Sequence, residues 1–256
     1  MKKALKSILT GIIAIYLGFG FLLFARQDDY IYYPSNQDFN ACEGFSDSEK
    51  LNLNGTRAYY KKISDKLVVF YHGNGGSACE MSFLKDTFTG LGYSYIFVEY
   101  AGYSNDGKKA SQELIMKDVE NVNNFLKTLD YQKLAIVGES LGASLALYHS
   151  SMADEDKLLL IAPFYSLGGA ASIHYPVYPV SLLLRDKYKS YLWTGDIKDV
   201  EIIHGTKDTI VPITESKKLF DKINVNNKKF VEVSGADHND IYDYSETWLG
   251  ITDFLK

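Results

Sequence analysis

An unbroken apolar run, Leu134-Ala135-Ile136-Val137, leads directly into Gly138-Glu139-Ser140-Leu141-Gly142, and a helix-forming stretch, Leu141 to Met152, leads out. A buried strand that runs into a helix through so few residues must turn very tightly. Glycines on either side of the turn let strand and helix approach without a Cβ clash. The central residue is forced into a strained backbone conformation, with its side chain exposed above the sheet. That residue is Ser140, and the geometry predicts a nucleophile. The pentapeptide alone is weak evidence; the strand before it and the helix after it give it weight.

A serine hydroxyl is a poor nucleophile at neutral pH and needs a base, an orienter for that base, and donors for the developing oxyanion. With this turn the order along the chain is Ser, then Asp or Glu, then His. The chain holds five histidines: His72, His149, His174, His204 and His238. His174 falls in a Tyr/Pro-rich insertion. His204 ends the strand-like Val200 to Ile203 and is expected to support the following turn. His238 sits in Ser234-Gly235-Ala236-Asp237-His238-Asn239-Asp240, a turn-rich loop after the strand-like Phe230 to Val233, and is the predicted base. Asp208, in the loop His204 to Pro212, is the predicted orienter, fixing the imidazole tautomer through one ring nitrogen. Asp237 and Asp240 are rivals by proximity, but carboxylates so close in the chain rarely point at the correct ring nitrogen. Oxyanion donors are expected from the backbone N–H groups of Asn74 and Leu141. Asn74 lies in His72-Gly73-Asn74-Gly75-Gly76-Ser77, after the apolar run Leu67 to Tyr71. A phosphate-cradling reading of that loop fails, because neither a G-K-[ST] ending nor G-x-G-x-x-G is present.

Eight strand-like runs fall near residues 50–53, 57–62, 66–71, 93–99, 133–137, 157–161, 200–204 and 228–233. Helical patterns near 79–90, 110–128, 141–152, 213–222 and 242–255 alternate with them. An extended piece is expected at 30–33. Such alternation predicts an α/β fold, a mostly parallel eight-stranded sheet with helices on both faces. The Asn54-Gly55 turn makes the first two strands antiparallel. Residues 164–197 form a short insertion rich in apolar and aromatic side chains, too small for a large lid.

The N-terminus is a different physical object. Lys2, Lys3 and Lys6 precede Ile8 to Phe24, seventeen residues without a charge. That is at the short end of a spanning helix, which needs about 17–25 residues. Phe24-Ala25-Arg26 offers no small-residue cleavage site, so residues 1–26 read as an uncleaved signal anchor and 27–256 as one hydrolytic domain. Lysines before the span, against Arg26, Asp28 and Asp29 after it, predict a cytosolic N-terminus and a domain on the extracytoplasmic side. No N-terminal lipidation is expected, because position 2 is Lys and no Cys follows the span closely. A net charge of −5 without a basic stripe excludes a nucleic-acid partner. Cys42 and Cys79 are the whole thiol inventory; they pair outside the cytosol or stay separate thiols, and their spacing fits no metal site.

Several segments taken together are similar to the α/β-hydrolase family, and resemble its membrane-anchored, bud-emergence-like branch, related to serine peptidases and protein depalmitoylases. They are Tyr30 to Pro34, Tyr71 to Gly75, Val98 to Ser104, Gly138 to Gly142, His174 to Val180 and His204 to Pro212. The resemblance runs from about residue 30 to the C-terminus. One departure is Ala101, where such relatives usually carry arginine.

These readings converge on a serine hydrolase of carboxylic esters or thioesters, working through an acyl-enzyme with Ser140, Asp208 and His238. No cofactor and no metal are expected. The expected partners are a small-molecule or lipid-like acyl substrate, acylated proteins among the candidates, and the membrane. Two alternatives carry different signatures: a peptidase, and a non-catalytic membrane-tethered binding protein.

Overall fold

The computed structural model describes residues 1–256. Eight strands, β1 (Lys50–Leu53), β2 (Thr56–Lys61), β3 (Lys66–Tyr71), β4 (Tyr93–Glu99), β5 (Lys133–Glu139), β6 (Lys157–Ile161), β7 (Asp199–Gly205) and β8 (Asn227–Val233), form one sheet. Its order is β1-β2-β4-β3-β5-β6-β7-β8. The β1–β2 and β2–β4 pairs are antiparallel; the remaining pairs are parallel. At the β1–β2 hairpin Asn54 and Gly55 both take positive φ, 53° and 93°, as a two-residue primed turn requires.

Strand residues alternate between two buried layers. Val69, Tyr71, Ile136, Leu158 and Leu160 face helices α4 (Gln112–Leu126), α5 (Leu141–Ser150) and α8 (Ile213–Lys222). Val68, Phe70, Val137, Leu159 and Ile161 face α3 (Leu84–Gly90) and α9 (Ser245–Leu255). Helix α4 shows why such a segment folds as it does. Ser111 caps it by accepting from the Leu114 amide, and Ile115, Val119, Val122 and Leu126 recur at helical spacing on its buried side.

Beyond β6 the chain builds the insertion from α6 (Leu167–His174), α7 (Val180–Leu183) and a 3-10 turn at Ser190–Leu192. Helix α1 (Lys2–Ala25) buries no residue of its own and is long and apolar enough to cross a membrane. It touches the domain through the insertion: Tyr16 stacks on Tyr178 at 4.6 Å between ring centroids. The Tyr16 hydroxyl donates to the Val177 carbonyl at 2.9 Å, and the Tyr178 hydroxyl donates to the Tyr16 carbonyl at 3.0 Å.

One local expectation is corrected. The extended piece at 30–33 is instead the end of a short helix, α2 (Gln27–Ile31), with extended backbone only from Tyr32. Distant contacts hold that turn in place. The Gln27 side chain accepts from the Arg185 amide at 2.7 Å, Asp28 pairs with Arg185 at 2.6 Å, and the Tyr32 hydroxyl donates to Asp186. Cys42 and Cys79 form a disulfide, tying the segment before β1 to the turn that follows the glycine-rich loop after β3.

Ala101 sits beside a buried carboxylate. Its amide donates to Asp118 Oδ2 at 2.7 Å, and the Thr56 hydroxyl donates to Oδ1 at 2.6 Å. Burial pushes the Asp118 carboxyl up to about 6, although these donors pull it down. A raised carboxyl favours the folded state while protonated, and that contribution is lost as pH rises through the folded value. The difference from the ordinary 3.8 corresponds to about 3 kcal/mol. Asp118→Asn is therefore expected to gain on the wild type by that amount in denaturant melts between about pH 4 and about pH 7. A parallel pH dependence in the two proteins would refute the assignment.

Candidate active site

Strand β5 lies between β3 and β6, and Gly138 is in register with Tyr71 on one side and Leu160 on the other. After Glu139 the chain reverses into α5 at Ser140, whose φ of 52° and ψ of −113° lie where a residue with a Cβ is strained. Holding a non-glycine residue there costs about 1–3 kcal/mol, and the surroundings must enforce it. They do so through the Ser140 amide, which donates to the Ile161 carbonyl at 2.8 Å. Glycine is dictated on both sides by contact. A Cβ on Gly138 would sit 2.2 Å from the Gly142 carbonyl oxygen, and one on Gly142 would sit 2.1 Å from the Tyr71 carbonyl oxygen.

The three residues expected to act together are brought together. His238 Nε2 lies 2.9 Å from Ser140 Oγ, and His238 Nδ1 lies 2.6 Å from Asp208 Oδ2. The carboxylate can only accept, so Nδ1 carries the proton and Nε2 is free to accept from the serine hydroxyl. The Asp208 side chain is fully buried, in the loop after β7. Its Oδ1 accepts from the amides of Ile210 (2.9 Å) and Val211 (2.7 Å). Burial opposes its ionisation, but hydrogen bonds from His204, His238 and the Val211 amide outweigh it and hold the carboxyl well below the usual carboxylate range. The site thus carries a fixed negative charge behind the imidazole.

His204 supports this arrangement from behind. It is fully buried; Nε2 donates to the Val211 carbonyl at 2.9 Å and lies 3.1 Å from Asp208 Oδ2, while Nδ1 meets Ser216 Oγ. The neighbouring carboxylates do loop work. Asp237 accepts from the Thr209 amide and from the backbone N–H of His238, and Asp240 accepts from the Asp237 amide; neither reaches the imidazole. His174 donates to the Ile210 carbonyl, and His149 is buried against the Tyr71 hydroxyl, with burial lowering it to about 3.

Asn74 and Leu141 border the same cavity as Ser140. Leu141 is the first residue of α5, so its amide has no acceptor within the helix. The Asn74 amide donates to no protein acceptor, while its side-chain oxygen is held by the Tyr103 hydroxyl (2.6 Å) and the Tyr33 amide (3.2 Å). Below the loop, His72 stacks on Tyr100 and lies 3.3 Å from Glu99, both buried.

Two features were missed from sequence. Glu139, inside the pentapeptide itself, points back under the site, where its carboxylate accepts from the Tyr242 hydroxyl at 2.8 Å. Burial pushes the Glu139 carboxyl up, against the pull of the Tyr242 hydrogen bond and of His238 and His72. The second is the cavity: about 920 Å³, mainly apolar, reaching from Ser140 and His238 to the insertion and to Leu23 and Phe24 of α1.

Residues 58–173 match a family described as an α/β hydrolase of unknown function, DUF1057. An uncharacterized protein of Mycobacterium tuberculosis is 32% identical over 181 residues, 69% of this chain; the chain spans 64% of that relative's length. An uncharacterized membrane protein of Saccharomyces cerevisiae is 29% identical over 174 residues, covering 64% of this chain and 61% of the relative. Among solved structures, an esterase of Pyrococcus furiosus superposes with a TM-score of 0.61 over 78% of this chain and 86% of its own, at 20% identity. That last likeness bears on the fold alone.

Proposed function

We propose, from the premise that this chain has the α/β-hydrolase fold, that it is a serine hydrolase cleaving carboxylic ester or thioester bonds through an acyl-enzyme. The observation that carries the reading is the hydrogen-bonded line Asp208–His238–Ser140 at an open, mainly apolar cavity. His238 takes the Ser140 proton as Oγ attacks the acyl carbonyl, and Asp208 stabilises the imidazolium that forms. The amides of Asn74 and Leu141 hold the oxyanion. His238 then protonates the leaving alcohol or thiol, and the same imidazole activates the water that releases the acid. An acyl substrate suits the apolar walls better than a charged peptide, because a charge buried there would lack a partner.

The domain is placed on the extracytoplasmic side of the membrane in this reading. Lys2, Lys3 and Lys6 precede α1, and a disulfide between Cys42 and Cys79 suits an oxidising compartment. One experiment addresses both points. A membrane-impermeant fluorophosphonate added to intact cells expressing the full chain is expected to label Ser140, as read by peptide mapping. Labelling only after lysis would reverse the topology. No labelling in either case would leave the hydrolase reading without its nucleophile. Faster turnover of aminoacyl anilides than of p-nitrophenyl esters would favour a peptidase.

A further inference from the structure

The membrane anchor and the catalytic cavity share a wall. Gly20, Leu23 and Phe24 of α1 line the cavity that contains Ser140 and His238, and Tyr30 and Ile31 of α2 continue the lining. A helix that served only as a tether would have no reason to reach the site. Here it is keyed into the insertion: besides the Tyr16–Tyr178 stack, a Cβ on Gly20 would meet the Tyr178 ring at 2.8 Å. The small residue lets that ring lie directly against the helix backbone.

This contact fixes where the cavity stands relative to lipid. Tyr16 lies in the middle of the uncharged run Ile8 to Phe24, eight residues before its outer end, or about 12 Å along the helix axis. The tip of the insertion therefore lies alongside the spanning segment. Its side chains are those of a lipid-facing surface: Val177 is 69% exposed and Leu182 80% exposed. In water such side chains gain nothing from exposure; beside a spanning helix they continue its apolar surface.

We propose that the substrate is an ester of a membrane lipid, whose acyl chain leaves the adjoining leaflet beside the insertion and lies against Leu23 and Phe24 of α1, so that the anchor itself sets acyl-chain length. The proposal rests on the acyl-hydrolase reading and extends it to a specificity-determining role for Leu23. Lateral transfer keeps the chain in apolar surroundings throughout, avoiding the cost of about 0.8 kcal/mol per methylene of passing it through water.

The test uses the full chain in detergent micelles and p-nitrophenyl esters from butyrate to palmitate. Leu23→Trp narrows the cavity at α1; Ile15→Trp changes the same helix at a side chain that is 74% exposed. Tryptophan at 23 excludes about two methylenes, so kcat/KM for palmitate is expected to fall about fifteenfold relative to the wild type. Butyrate hydrolysis is expected to be retained, and Ile15→Trp to behave as the wild type. An unchanged chain-length profile in Leu23→Trp would overturn the inference, as would a uniform fall that includes butyrate. Wild-type butyrate turnover reports separately on the underlying reading; its absence would sink that reading first.

Discussion

Ser140→Ala is expected to lower kcat/KM for a p-nitrophenyl ester by on the order of 10⁵-fold or more while the melting temperature stays near that of the wild type. The catalytic loss follows from removing the one oxygen that His238 Nε2 contacts, at 2.9 Å. The remaining machinery would have to act on water that nothing holds in place. The fold is indifferent because alanine keeps the Cβ, and with it the same strained backbone at φ 52°. A sharper form of the experiment uses Ser140→Gly. Glycine relieves the positive φ and is expected to raise stability by about 1 kcal/mol or more while being equally inactive. Stability gained where activity is lost marks a strained nucleophile; ester hydrolysis retained in either variant would refute the role of Ser140.

Asp208→Asn carries the second-largest effect, a fall in kcat of about 10⁴-fold. The carboxylate accepts from His238 Nδ1 at 2.6 Å, so it dictates which ring nitrogen bears the proton. An asparagine can turn its NH₂ toward the ring and stabilise the opposite tautomer, in which Nε2 is protonated and cannot accept from Ser140. It also removes the negative charge that the imidazolium needs. Asp237→Asn is the control, because Asp237 accepts only from Thr209 and from the backbone of His238. The expected outcome is a large loss at 208 with little change at 237. Equal losses in the two variants would make the Asp208 effect one of loop folding.

These residues were legible in sequence because the chemistry that joins them is also a chain order. A serine between glycines after an apolar strand, an aspartate after the next-to-last strand and a histidine after the last one occupy loops at the same edge of a parallel sheet. Continuous apolar runs located the strands, since β3 through β7 are buried on both faces. Features set by distant partners were not legible. Tyr30 to Tyr33 reads as extended, yet the chain is helical through Ile31 because Gln27 and Asp28 meet Arg185, more than 150 positions away. Pairing of Cys42 with Cys79 depends on how the segment before β1 lies across the turn at Glu80–Phe83. Glu139 is visible in the pentapeptide, but its meeting with Tyr242 requires the C-terminal segment to fold beneath β5. Nothing in an apolar N-terminal run announces that three of its residues will border the cavity that holds Ser140 and His238.

The interlock of Tyr16 with Val177 and Tyr178 ties the domain to a helix whose uncharged run, Ser7 to Ala25, is nineteen residues or about 28 Å long, slightly shorter than a typical hydrocarbon core of about 30 Å. A short span accommodates to its surroundings by drawing in its flanks or thinning the lipid around it, and thicker bilayers demand more of both. In the membrane-spanning reading proposed above, the insertion is locked to that span. Hydrophobic mismatch would then act on the wall of the cavity as well as on the anchor, and bilayer thickness would become a mechanical input to the site.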